Sequence, residues 1–241
     1  YGLGALGIPS LLGILSEYYS FETILQGIGF IMLAGILFCI PVRFPTPKQA
    51  QGFPVKEGLG LLKESALLLL SLVQSGIEGV CNNWSTSYLG RMTDIPANRA
   101  LIVLTCMVAG LTIARMLQIV IFKKVQPAKV LPYSLILTAI GFGLLTASPG
   151  FLRAATGMVL IGMGLSPTYP VILSILGTRY PALSGTAFSI ALAIALVGQT
   201  CMNGLMGMIS VYDNGIALYP YMMIGSLVVM LIIFLRVPRK R

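Results

Sequence analysis

Long uncharged apolar stretches recur along this chain, and a water-soluble fold could not absorb them. Thr23 to Val42, Val130 to Leu152, Ala154 to Thr178, Tyr180 to Tyr212 and Asn214 to Leu235 contain no Asp, Glu, Lys or Arg. A helix rising about 1.5 Å per residue needs about 20 apolar residues to cross a hydrocarbon core of roughly 30 Å, so each stretch can span a bilayer. Ser65 to Gly90 and Ala100 to Phe122 are as long, and each holds one ionisable residue, Glu78 and Arg115. Tyr1 to Ser16 is an eighth candidate. Charged residues make up 10% of the chain and hydrophobic ones 56%, where a soluble domain carries roughly 25% charged residues. The expected fold class is all-α, a polytopic membrane protein of about eight transmembrane helices.

The net charge of +9 would point to nucleic acid in a soluble protein. Here the distribution of the charge explains it instead. Alternate connections between spans hold Arg43, Lys48, Lys56 and Lys63, then Lys123, Lys124 and Lys129, then Arg179, then Arg236, Arg239, Lys240 and Arg241, which is twelve of the sixteen basic residues. The other connections hold Glu17, Glu22, Asp94 and Asp213 with only Arg91, Arg99 and Arg153. Loops enriched in Lys and Arg stay in the cytoplasm, so the C-terminus is expected there, in a cell (inner or plasma) membrane, with lipid as the surrounding partner and no nucleic acid.

Three regions follow: residues 1–42, the last two helices of a first bundle; 43–64, a polar cytoplasmic linker; and 65–241, a six-helix bundle. Pro41, Pro45, Pro47 and Pro54 punctuate the linker region. The later connections are short, so successive helices are antiparallel neighbours. Because three helices are an odd number, spans three to five and six to eight enter from opposite sides, the arrangement of an inverted repeat. The chain opens without Met inside an apolar stretch, and it is expected to be a piece of a longer protein.

Glu78 is the fourteenth residue of its 26-residue span, near the bilayer midplane. A central acidic residue costs roughly 2.5–3.5 kcal/mol on insertion scales, which makes a functional role the first expectation. At about 100° per residue Ser71, Gln74, Asn82 and Ser85 fall within roughly 40° of it, a polar stripe that suits an aqueous solute path or a hydrogen-bonded helix seam. Trp84 lies about 120° away and Asn83 about 140° on the other side, reachable only if Gly76 and Gly79 allow local unwinding; Trp84 also suits an interfacial belt with Tyr88. Arg115, about 12 Å from the basic end of its span, needs partners and is a candidate to pair with Glu78. In span six Ser166, Pro167, Thr168, Tyr169 and Pro170 predict a broken helix at mid-depth, with Thr168 and Tyr169 as lining residues or the break as a packing kink. Gln199 and Asn203 share one face of span seven, as lining groups or as a seam. The expected substrate-binding set is therefore Glu78, Asn82, Gln74, Ser71, Thr168, Tyr169, Gln199, Asn203 and Trp84, with Arg115 in gating.

Cys39, Cys81, Cys106 and Cys201 lie inside spans without CxxC spacing, so no disulfide frame or zinc site is expected. The chain has no His, HExxH, GxSxG or P-loop, and no catalytic residue, metal or other cofactor is expected.

Two helices, a basic linker and six further helices resemble the fifth to twelfth helices of the major facilitator superfamily. Gly76, Glu78, Trp84 and Tyr88 resemble the seventh helix of its fucose:proton symporter-like sugar transporters. Gly162 to Pro170, GMGLSPTYP, is similar to the tenth. Ala114 and Arg115 followed by Lys123, Lys124 and Lys129 resemble the loop motif after helix eight, with Ala114 in place of Gly and Lys123 in place of Asp. Gly7, Ile8, Pro9 and Gly13 loosely resemble the glycine-proline motif of exporters. The resemblance implies alternating access about a central site, with Glu78 and Tyr169 on cavity-lining helices. The function so expected is transport of a small neutral solute such as a monosaccharide by a monomer, with the proton as coupling ion and no enzymatic activity. An exporter of amphipathic compounds and a membrane-embedded lipid enzyme are the rivals.

Overall fold

In hydrocarbon every backbone N–H and C=O must be paired within the protein, so a chain of this composition resolves into helices. The computed structural model describes residues 15, 18–39, 65–93, 95–147 and 150–237, and among them there is no strand. The chain divides into two units, 1–54 and 55–241.

In the first unit α1 covers Phe21–Cys39. Its start is marked by Ser20, whose hydroxyl lies 2.9 Å from Thr23 Oγ1 and 3.4 Å from the Thr23 amide. Its 19 residues rise about 28 Å, close to the thickness of a hydrocarbon core, and its apolar part, Glu22–Phe38, is shorter than the six spans of the second unit. It coincides with most of the expected second span. The first span, apart from residue 15, and the 43–64 linker lie outside the described residues.

The second unit holds α2 (Ser65–Met92), α3 (Ala97–Lys124), α4 (Pro127–Thr146), α5 (Phe151–Leu165), α6 (Thr168–Arg179), α7 (Ser184–Ser210) and α8 (Tyr219–Leu235). With α5 and α6 counted as one 29-residue span, six helical segments are long and apolar enough to cross a membrane. Their boundaries differ from the charge-free stretches in an instructive way. The stretch Val130 to Leu152 was bounded by charges, whereas α4 ends at Thr146 and Phe151 already begins α5. Pro149 disfavours helix at the residue before it, and Gly150 is extended at φ −175°. Arg153 therefore lies in the first turn of α5 rather than between spans.

Between α7 and α8, Asn214 adopts φ 60°, the left-handed region that Asn tolerates better than most residues. Gly215 then packs so closely on the Ile209 carbonyl that a Cβ would collide with it. Short connections put Lys123, Lys124, Lys129, Arg179 and Arg236 at one end of the unit and Arg91, Arg99, Arg153 and Asp213 at the other. At that second end the Arg99 guanidinium carbon stands 6.0 Å from the Phe151 ring centre.

Packing is exchanged between the two helix triplets. The first helix of one, α2, packs most extensively on the middle helix of the other, α7, while α5 packs in the same way on α3. The third helices follow suit, α4 along α5 and α8 along α2. An internal two-fold relation of the expected kind would produce this pairing. The core between the triplets includes Tyr219, Phe142, Ile77, Met107 and Met158, all fully buried, with the Tyr88 and Tyr219 rings 5.1 Å apart.

Candidate functional site

The site is built where α2 passes the interruption between α5 and α6. Pro167 and Pro170 carry no N–H, which deprives the carbonyls of Met163 and Ser166 of their helical donors. Only the first proline interrupts the helix: the turn is at Ser166–Pro167, and Pro170 falls in the first turn of α6, where an N–H has no partner within the helix.

Neighbouring helices hold the break on two sides. From α2, Gln74 Nε2 donates to the Leu165 carbonyl at 3.1 Å. From α3, Gln118 Nε2 donates to Ser166 Oγ at 2.7 Å, and that hydroxyl donates to the Leu111 carbonyl at 3.1 Å. Just before the break α3 and α5 are in backbone contact, because a Cβ on Gly162 would run into the Met107 carbonyl. Ser166 and Gln118 are both buried, so the break is a fixed feature of the interior.

Glu78, half-buried and about 20 Å along α2 from Ser65, faces this break. The charge of Arg115 on α3 acts on its carboxyl, and Gln74, one turn earlier on α2, interacts with it. The carboxyl in turn acts on the Tyr169 phenol of α6. Gln74, Arg115 and Tyr169, on α2, α3 and α6, are thus the groups that interact with Glu78, with Thr168 next in the chain to Tyr169.

Within this group several buried polar atoms have no hydrogen-bond partner among the described residues: Gln74 Oε1, Thr168 Oγ1 and Tyr169 OH. Gln74 and Thr168 are completely buried. Native interiors leave few such atoms, because each costs about 1–3 kcal/mol, so these three on adjoining segments make the region around Glu78 the candidate site.

The remaining expected site residues are distributed differently. Ser71 is buried and donates to the Leu68 carbonyl at 2.7 Å, with the Ala191 carbonyl of α7 at 3.4 Å. Ser85 is buried between the Cys81 carbonyl and the Tyr219 hydroxyl, 2.8 Å away. Both ends of the polar stripe are therefore closed, as expected of hydroxyls that bond back to their own helix in apolar surroundings. Only its middle, Gln74, Glu78 and Asn82, contributes to the site, and Asn82 is exposed with its amide on the Glu78 carbonyl at 2.8 Å.

Gln199 and Asn203 are not brought to this face. Gln199 packs over Gly79, and Asn203 Oδ1 accepts from Asn83 Nδ2 at 3.0 Å. These residues of α2 lie about 100° and 140° around the helix from Glu78. They form the α2–α7 seam, which a Cβ on Gly198, colliding with the Leu72 carbonyl, would force open. Trp84 is half-buried with its ring edge over Gly207 of α7.

Sequence reasoning missed Gln118 as a framing residue. It is the only amide between Ala100 and Lys124 and stands three residues after Arg115, on the same helix face. Among the described residues no cluster of His, Cys, Asp or Glu could hold a metal ion. No family model matches the chain, and no curated protein is found to match it.

Proposed function

We propose that the chain belongs to a secondary active transporter of the major facilitator kind, which moves a small neutral polyhydroxy solute, a monosaccharide or close relative, by alternating access coupled to protons. The observation that carries this reading is the group of partnerless buried polar atoms beside Glu78, the only acidic residue inside the spans of the second unit. Hydroxyls both donate and accept, so a polyhydroxy solute can satisfy an amide oxygen, two hydroxyls and a carboxyl at once.

In this reading Glu78, Gln74, Thr168 and Tyr169 contact the solute, and Asn82 lines its approach. Arg115 offsets the charge of Glu78, so the pair remains compatible with a neutral solute deep in the membrane. Gln118 and Ser166 position the break from which Thr168 and Tyr169 project. The exchanged packing of the two triplets ties them into one bundle, which would move as a body in alternating access, as in transporters built from repeats. The protein works as a monomer in a cell membrane, with the basic end and C-terminus in the cytoplasm. It performs no enzymatic step and holds no cofactor.

The test is uptake of labelled monosaccharides by vesicles carrying the full-length protein under an imposed proton gradient. Gradient-driven entry that Glu78→Gln abolishes, with the variant still folded, is the expected result. Unchanged entry and unchanged pH dependence in Glu78→Gln would remove Glu78 from the mechanism. Gradient-driven efflux of amphipathic compounds, without sugar entry, would favour an exporter.

A further inference from the structure

The amide of Gln74 has only one orientation that the interior permits. Leu165 O is an acceptor and nothing else, so the side chain must turn its NH2 toward it, as the 3.1 Å contact shows. The other end, Oε1, is thereby turned from the Leu165 carbonyl, buried and without a partner among the described residues. Thr168 and Tyr169 hydroxyls adapt by rotating, since each can donate or accept. Gln74 Oε1 cannot adapt, because it only accepts. The contact between Gln74 and Glu78 does not relieve it: the Glu78 carboxylate takes a hydrogen bond from the NH2 end and offers no donor to Oε1, and the tether to Leu165 prevents the amide from flipping.

We infer that Gln74 is the specificity-determining residue of the site, a fixed acceptor that reads one hydroxyl of the solute by requiring a hydrogen-bond donor at that position. This rests on the polyhydroxy-solute reading above and adds which atom does the discriminating and what chemistry it demands. A site with a tethered, buried acceptor penalises a solute that lacks the donor more than it rewards one that has it, because the acceptor is then buried unpaired.

The experiment is equilibrium binding to the purified full-length protein of the common aldohexoses, followed by the full set of mono-deoxy analogues of whichever binds. In the wild type, removal of one particular hydroxyl weakens binding about tenfold, the worth of one hydrogen bond to a fixed neutral acceptor. In Gln74→Met, which conserves size and removes the acceptor, the ratio between the parent sugar and that analogue falls to about one, while other deoxy positions keep their ratios. Gln74→Asn, which withdraws the oxygen by one methylene, gives the same collapse and serves if the Met variant does not fold. A structural role for Gln74 would weaken all analogues alike and leave the ratios unchanged, which overturns the inference. Binding of an aldohexose with no hydroxyl-specific coupling to position 74 also overturns it while sparing the transporter reading. Failure of every aldohexose to bind the wild type overturns the polyhydroxy-solute reading, and this inference with it.

Discussion

The contact between α3 and α5 beside the break can be tested with one carbon atom. In Gly162→Ala the new Cβ would collide with the Met107 carbonyl and stand 2.9 Å from the Leu111 nitrogen and the Met107 carbonyl carbon. All of these are backbone atoms, so no rotamer change relieves them. Carbon needs about 3.5–4.0 Å, so the two helices must part by about 1 Å locally, forfeiting dispersion along the seam. Overpacking of this kind costs about 1–3 kcal/mol. Gly143→Ala on α4 provides the control, since its Cβ meets nothing within 4 Å and the change favours the helix by about 0.5–1 kcal/mol. Reversible unfolding in mixed micelles, followed by near-ultraviolet circular dichroism, should place the two variants on opposite sides of the wild type. Ser166 lies one turn beyond Gly162, so Gly162→Ala should also weaken solute binding while Gly143→Ala does not. Equal stability of the two variants would refute the close crossing and, with it, the account of how the break is held.

Two further outcomes follow from the polar contacts. Gln118→Leu and Ser166→Ala, measured singly and together, should show a coupling of about 0.6–1.7 kcal/mol in unfolding, the range for interhelical bonds in membranes; strictly additive effects would mean that the 2.7 Å contact contributes nothing. Asn83→Ala with Asn203→Ala should couple by about 0.6 kcal/mol in stability and leave uptake kinetics unchanged. A selective loss of uptake in Asn203→Ala would return that amide to the solute path.

Much of the site was legible in the sequence because bilayer thickness and backbone chemistry act locally. The depth of Glu78 follows from counting residues to the ends of its apolar stretch, and the break at Ser166–Pro167 follows from the donors that proline lacks. Helical periodicity grouped Gln74 and Asn82 with Glu78. The same periodicity also grouped Ser71 and Ser85 with them, and there it misled: it says which residues share a face, not what covers that face. Ser71 meets a carbonyl of α7 and Ser85 the hydroxyl of Tyr219 on α8, because both helices pack against α2. For Gln199 and Asn203 periodicity leaves a lining role and a seam equally open, and the structure places them on α2 at Gly79 and Asn83.

For the second unit, then, the sequence by itself determined that the chain becomes membrane-crossing helices, how many of them there are, where one is interrupted and which acidic residue lies at mid-depth. Each of these depends only on the length, polarity and donor count of a contiguous segment. Only the tertiary structure decided that α2 pairs with α7 and α5 with α3, that Gln118 holds Ser166, and that Gln74 turns its NH2 to the Leu165 carbonyl and leaves its oxygen buried without a partner among the described residues. Those depend on where carbonyls from distant segments come to lie, and hydrogen bonds over 48 and 91 residues of separation leave no periodic trace in the chain.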